Sequence, residues 1–289
     1  MEKETIIQGR PTTESDIRFI QNLISSNPSW HRTRLSKELC VLWNWRDVSG
    51  QMKDMACRTF LLKLEQRGGI RLPERKRRKS SIGKTRQIQY VPHQTEAIDG
   101  NLRDLLPLRF EIAAEPASSQ LFQYLIFRYH YLGFKGTVGK NLKYLVFDKH
   151  QRPLACLLFG SAAWKVADRD RFIGWPAAVR EAKLHLMTNN TRFLILPWVT
   201  VPHLASHILG RIVRRIRADW LAKYSHPVYL LETFVDRERF RGTCYQAANW
   251  IQVGQTTGRS RNDRHNNLIV PVKDCYLYPL DRNFREALQ

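Results

Sequence analysis

Lys143-Tyr-Leu-Val-Phe147 and Leu154-Ala-Cys-Leu-Leu-Phe159, joined by Asp148 to Pro153, decide the fold class. Two apolar runs of strand length flanking a polar, proline-ended turn predict an antiparallel hairpin, with Asp148 serving the turn. Downstream, the pattern predicts a strand at Arg192-Phe-Leu-Ile-Leu196, a long helix from Leu204 to Tyr224 and a strand at Val228-Tyr-Leu-Leu-Glu-Thr-Phe234. A short helix near Thr243 to Trp250 and a strand around Ile251 to Thr256 follow. Upstream, Gln120 to Tyr131 reads as a helix stopped by Leu132-Gly133. The order is that of a mixed α/β domain over residues 116–289, with an antiparallel start and a strand-helix-strand end.

Residues 91–115, punctuated by Pro92 and Pro107, read as a linker. Ahead of it, residues 11–90 predict a winged helix-turn-helix. Ile17, Ile20, Leu23 and Ile24 mark a first helix stopped at Asn27-Pro28. Thr33 caps a second, with a stripe of Leu35, Leu39 and Leu42. Cys57, Phe60, Leu61 and Leu64 mark a third, ended by Gly68-Gly69, and Ile70-Arg-Leu-Pro73 reads as a short strand entering a hairpin. In this arrangement the third helix enters the major groove, so Lys53, Arg58 and Lys63 are candidate DNA contacts. The following run, with Arg71, Arg75, Lys76, Arg77, Arg78, Lys79, Lys84 and Arg86 against Glu74, reads as a basic wing on phosphates.

The 289 residues are 43% hydrophobic and 11% aromatic, enough to bury a real core in two folded units. Lysine and arginine number 47 against 26 acids, a net charge of +21 that calls for a polyanionic partner, duplex or single-stranded DNA above all. The five cysteines form no Cys-x-x-Cys pair, which argues against a zinc site and for reduced apolar residues. Met1 to Asp16 carries no secretory apolar stretch, and Leu154 to Trp164 is too short to span a bilayer. The expected location is cytoplasmic, without a membrane partner.

Several longer motifs carry a resemblance. Tyr129-His-Tyr-Leu-Gly133, Arg171-Phe-Ile-Gly-Trp175, Asn190-Thr-Arg-Phe-Leu-Ile-Leu-Pro-Trp198, Leu231-Glu-Thr-Phe-Val-Asp236 and Gly254-Gln-Thr-Thr-Gly-Arg259 together resemble the Druantia anti-phage protein A (DruA) family over nearly the whole chain. The element order, with Gly242-Thr-Cys-Tyr245 and Asn249-Trp-Ile-Gln-Val-Gly254, is similar to the GNAT acyltransferase fold. The first resemblance implies work on DNA in anti-phage defence or in transposase-like mobile elements, with a homodimer or partner proteins of such a system. It leaves open whether the chain cuts, joins or only binds DNA strands. The second implies acyl transfer as a third reading, and here the sequence departs from the pattern. Those enzymes hold the coenzyme A pyrophosphate on a glycine-rich turn before the long helix. This chain has Val199-Thr-Val-Pro-His-Leu-Ala-Ser206, without glycine and with Pro202 lacking an N–H, so acetyl coenzyme A is not an expected cofactor.

Glu232 and Asp236, near the carboxyl end of a strand, could hold Mg²⁺ for phosphodiester chemistry. Equally, Glu232 could pair with Arg192 or Arg241 while Asp236 caps the loop. Tyr245 falls where the GNAT resemblance implies a tyrosine general acid; in DNA processing it could be a nucleophile, or simply a core residue. His130, beside Tyr131, is a candidate base. His203 and His207 are four apart, but capping or packing explains them as well as a metal does. On the long helix Ile208, Leu209, Ile212, Val213, Ile216 and Trp220 share one face and Arg211, Arg214 and Arg215 the other. With Lys165, Arg259, Arg261 and Arg264 these extend a candidate phosphate track, and Trp164 and Trp175 are candidates for stacking on bases or for the core.

Overall fold

The computed structural model describes residues 5–7, 10–47, 50–74, 88–258 and 271–289. The chain divides into two compact units, Met1–Arg86 and Gln87–Gln289.

In the first unit, β1 (Thr5–Ile7) and β2 (Arg10–Thr12) form a small antiparallel hairpin ahead of three helices, α1 (Glu14–Ser26), α2 (Arg32–Leu42) and α3 (Asp54–Gln66). Thr13 caps α1 in a reciprocal capping box with Asp16. The cap of α2 is His31, whose ring accepts the Arg34 N–H, and not Thr33 as expected. Ile20, Leu35, Leu39, Phe60, Leu61 and Leu64 meet in one core, at the spacing read from the sequence. The α2–α3 connection, residues 43–53, is longer than the turn of about three to four residues in a helix-turn-helix and is closed by a bridge between Arg46 and Met52. Ile70–Pro73 is not a strand. Its backbone is held by side chains instead: Glu65 accepts the Leu72 N–H and Arg32 donates to the Pro73 carbonyl. The expected wing falls on residues 75–87, which lie outside the described residues and include Arg75, Lys76, Arg77, Arg78 and Lys84.

The second unit is mixed α/β, as the strand and helix order predicted. Its chain order is β3 (Ile98–Asp99), α4 (Leu102–Leu105), β4 (Arg109–Ile112), α5 (Pro116–Tyr129), β5 (Leu142–Phe147), β6 (Pro153–Ser161), α6 (Ala167–Ile173) and α7 (Ala177–Lys183). There follow β7 (Met187–Ile195), β8 (Val199–Thr200), α8 (Leu204–Ile212), α9 (Ile216–Tyr224), β9 (Leu230–Asp236), α10 (Thr243–Ala247), β10 (Ile251–Gln255), β11 (Lys273–Pro279) and α11 (Phe284–Leu288). Seven strands form one sheet in the order β10-β11-β9-β7-β6-β5-β4, and β3 pairs with β8 apart from it. The supposed linker therefore supplies an edge strand, β4, whose Arg109 to Ile112 pair with Phe147 to Tyr144. Asp148 serves the β5–β6 turn as expected, accepting the His150 and Arg152 N–H groups.

Every pairing in the large sheet is antiparallel except one. β7 and β9 run parallel and stay in register only from Met187–Leu230 to Asn189–Glu232. Beyond that point they diverge. Helices α5, α8, α9 and α10 belong to the larger core, with Trp220, Ile208 and Phe122 fully buried. Val166, Ile173, Trp175, Leu277, Phe284 and Leu288 form a second core. The long helix expected from Leu204 to Tyr224 is broken at residues 213–215. Arg215 stands at the break. Half-buried, it donates to Asp219 at 2.7 Å and to the Phe110 carbonyl at 3.2 Å.

Candidate functional site

The divergence of β7 from β9 opens a cleft of about 670 Å³. Its walls come from β7, β9, the end of α5 and the segment from Phe240 into α10. Arg192, Arg241 and Lys273 line it against a single carboxylate among the described residues, Asp236. Three cations against one acid give the lining a net positive charge. Asp236 is itself engaged, accepting the Glu238 N–H and lying 3.8 Å from Arg239. Arg192 is half-buried and donates to the carbonyls of Gly133 and Thr191. Burial lowers its guanidinium from the ordinary value.

Tyr131 and Phe240 are exposed large rings, at 41% and 51%, on residues that line this cleft. Their centroids are 5.4 Å apart, His130 stacks on Tyr131 at 4.8 Å, and the Arg239 guanidinium lies 5.1 Å from the Tyr131 ring. Burial, with a lesser push from Arg192, lowers the His130 imidazole to about 4. His130 is thus neutral at physiological pH. Its Nδ1 accepts the Leu132 N–H, which leaves the proton on Nε2.

Glu232 and Tyr245, expected in one site, belong to different environments. Successive strand residues point to opposite faces, so Glu232 and Thr233 part company. The Glu232 carboxylate is fully buried, takes the Ala163 N–H on one oxygen and pairs with Arg169 on the other at 2.9 Å. Burial raises its carboxyl while Arg169 and the Ala163 amide pull it down. Arg169, also fully buried, reaches Asp170 at 2.7 Å and the Ala163 carbonyl at 2.6 Å, and Arg180 pairs with Asp170 at 3.2 Å. Glu232 is one member of a closed ionic cluster. Its partner is Arg169, and neither Arg192 nor Arg241.

This cluster does not fit a metal ion. Both Glu232 oxygens are committed, and residues four apart on a strand lie about 13 Å apart along it, which separates Glu232 from Asp236. Among the described residues no group of three or more His, Cys, Asp or Glu side chains could hold a metal. His203 opens α8 in a left-handed conformation, and burial and the neighbouring Arg211 and Arg214 lower the His207 imidazole.

Tyr245 packs on the other side of β9. Its hydroxyl donates to Asn190 Oδ1 at 2.7 Å and lies 3.4 Å from Thr233 Oγ1, whose own proton goes to the Asn190 carbonyl at 3.0 Å. Burial raises the phenol well above its ordinary value, so it stays protonated. That is the state of a wall and positioning residue, and a poor one for a nucleophile.

The basic residues expected to contact DNA separate similarly. Lys53 is exposed at the start of α3 and Lys165 is exposed ahead of α6. Arg58 is held by Asp54 at 2.7 Å on its own helix, so it does not reach outward as a free cation. Trp175 is a core residue whose indole donates to the Leu288 carbonyl, whereas Trp164 is 48% exposed. Arg259 and Arg261, like Arg264, lie outside the described residues. Nothing in the sequence marks Arg241, Lys273 and Phe240 as lining one cleft, because no local motif signals two strands drifting apart.

Among solved structures, a spermidine N-acetyltransferase from Vibrio cholerae, in complex with CoA and spermine, is similar. It is 8% identical, with 60% of this chain and 95% of that chain covered and a TM-score of 0.40. A ribosomal-protein-S5-alanine acetyltransferase from Vibrio fischeri is 8% identical, with 49% and 63% covered and a TM-score of 0.31. No curated protein sequence matches the chain. No helix among the described residues is long and apolar enough to cross a membrane. The model of the family described as Druantia protein DruA matches residues 63–285, most of both the cleft-bearing unit and the sequence as a whole, and the chain belongs to that family.

Proposed function

We propose that this protein serves anti-phage defence as a nucleic-acid-engaging component, with the β7–β9 cleft receiving a single strand of DNA. The observation that carries the reading is the lining of the cleft: Arg192, Arg241 and Lys273 beside the exposed rings of Tyr131 and Phe240. Cations along a groove neutralise phosphates, and exposed rings stack bases without regard to sequence. A net charge of +21 favours the same partner. The buried ion pair with Arg169 favours a scaffold role for Glu232, so the reading is one of binding and positioning.

Fluorescence anisotropy with a labelled single-stranded oligonucleotide tests the proposal. The wild-type chain binds it with an affinity that falls as salt rises. Phe240→Ala and Arg241→Ala each weaken binding by about tenfold, through a lost stacking surface and a lost phosphate partner. Binding to no oligonucleotide, or binding unaffected by both changes, overturns it.

A further inference from the structure

Tyr129, on the cleft wall at the end of α5, is the inner member of a row of rings that leads away from the cleft. Its ring lies 6.4 Å from Tyr124, and Tyr124 meets Tyr90 edge-on at 5.5 Å. The His93 ring wedges this row in place, in contact with Tyr124, Tyr129 and Trp198. Its Nδ1 lies 2.7 Å from the Val91 carbonyl, which can only accept, so the proton sits there and Nε2 accepts the Tyr129 hydroxyl at 3.1 Å. Tyr90 is nonetheless 69% exposed. A surface tyrosine ordinarily samples several rotamers, whereas this one stands against a half-buried ring, so stacking on it costs little side-chain entropy. Phe127 and Arg128 come three and four residues after Tyr124, on the same face of α5. Both are exposed, and the Arg128 guanidinium lies 5.9 Å from the Tyr129 ring without an ion pair to any described residue.

We infer that this row is an outer segment of the strand site, where DNA leaving the cleft stacks a base on Tyr90 and passes its phosphates beside Arg128. The inference rests on the strand-binding reading. An exposed ring offers its face to any base, and a cation next to it neutralises the backbone, the two elements a single-strand path combines. A duplex keeps its bases stacked on one another and gains nothing from Tyr90. Continuity favours the strand over a separate partner: Tyr129 belongs at once to the cleft wall and to the row, so a strand held between Tyr131 and Phe240 has rings to follow when it emerges. A strand confined to the cleft does not touch Tyr90, and the row contributes only when the DNA is long enough.

The test compares oligodeoxythymidylates of about four and about sixteen nucleotides, the limits of the span one single-strand groove covers, by anisotropy with the full chain. The longer strand binds the wild-type protein more tightly. Tyr90→Ala weakens it by about tenfold, the loss of one stacked base, and leaves the short strand's affinity unchanged, which also certifies the variant's fold. Tyr90→Phe keeps the ring and keeps wild-type affinity for both lengths. Arg128→Ala lowers the salt slope for the longer strand by about 0.7, one phosphate contact, and not for the shorter. Phe240→Ala weakens both lengths, because every bound strand occupies the cleft. Equal wild-type affinity for the two lengths overturns the inference and leaves strand binding intact, as does a Tyr90→Ala variant that binds the longer strand normally or loses both lengths equally. Binding of neither length overturns both readings.

Discussion

Replacing Arg169 by methionine removes the positive centre of the buried cluster and retains much of the side chain's apolar stem. Arg169 and Glu232 are both fully buried, and the arginine satisfies Glu232, Asp170 and the Ala163 carbonyl together. Asp170 keeps Arg180 as a partner, but Glu232 retains only the Ala163 N–H. Removing one member of such a pair leaves a buried charge uncompensated, with an expected loss of about 3–5 kcal/mol. Glu232 can escape by taking up a proton, and the sign of the pH dependence follows. In the variant its folded-state pKa lies above the unfolded value near 4.3, so the protonated form contributes stability that is complete below the unfolded pKa and lost as pH rises through the folded one. Burial already raises the wild-type Glu232 carboxyl, so the deficit against wild type widens, by up to ~1.4 kcal/mol per pH unit, only between the wild-type folded value and the higher one of the variant. Arg169→Met with Glu232→Leu removes both charges and costs less than the two single losses summed, by about 2 kcal/mol or more. Calorimetric unfolding of the full chain and the three variants at several pH values provides the cycle. A single-variant loss below about 1 kcal/mol without pH dependence, or strictly additive losses, refutes the scaffold role argued for Glu232.

Gly254→Ala places a β-carbon against the Asp168 carboxylate at a backbone φ of +154° and costs about 2 kcal/mol in thermal unfolding; Asp168→Ala in the same chain recovers part of it. His130, lowered to about 4, stabilises the fold above its unfolded value near 6.5 and loses that contribution as pH falls toward 4. His130→Asn should therefore flatten the acid side of the stability profile by about 1–2 kcal/mol, after allowance for its partial exposure. Changing Arg75, Lys76, Arg77 and Arg78 together to alanine lowers the salt slope of duplex DNA binding by about three to four units if they contact phosphates, and an unchanged slope removes the wing from the interface. Calorimetric titration with acetyl coenzyme A is expected to yield no micromolar binding: Pro202 offers no N–H, and the first amide of α8, on Leu204, points to the Val201 carbonyl. A micromolar affinity would restore acyl transfer as a working reading.

What the sequence made legible follows from local periodicity. The β5–β6 hairpin, the Asp148 turn and the three N-terminal helices each declare themselves through an alternating or helical stripe between clear stop signals. Residues 91–115 did not, because β3 and β4 are short and lie among prolines, and an edge strand needs little alternation to pair. The break between α8 and α9 was equally hidden. The apolar stripe continues through it, and the contact that Arg215 makes there, to the Phe110 carbonyl, joins residues 105 positions apart. Glu232 illustrates the limit most sharply. Its strand position and its acid neighbour four residues on were visible, but the arginine that claims it stands 63 residues away on α6, through-space information that spacing alone does not carry.

The short parallel seam between β7 and β9 has one more consequence. Past Asn189 and Glu232 each strand keeps its outer neighbour, β6 or β11, yet the edges turned toward one another lose their ladder partners. The cleft thus has two rims of peptide groups, and part of what it offers a ligand belongs to the main chain. Thr233 already uses one such group, donating to the Asn190 carbonyl. Side-chain substitution leaves peptide groups in place, so a mutational scan understates what this cleft contributes to binding. Replacing single amides by esters at residues 190–195 and 233–236 would count the main-chain share directly, and it is a share that drift in the side-chain sequence cannot erode.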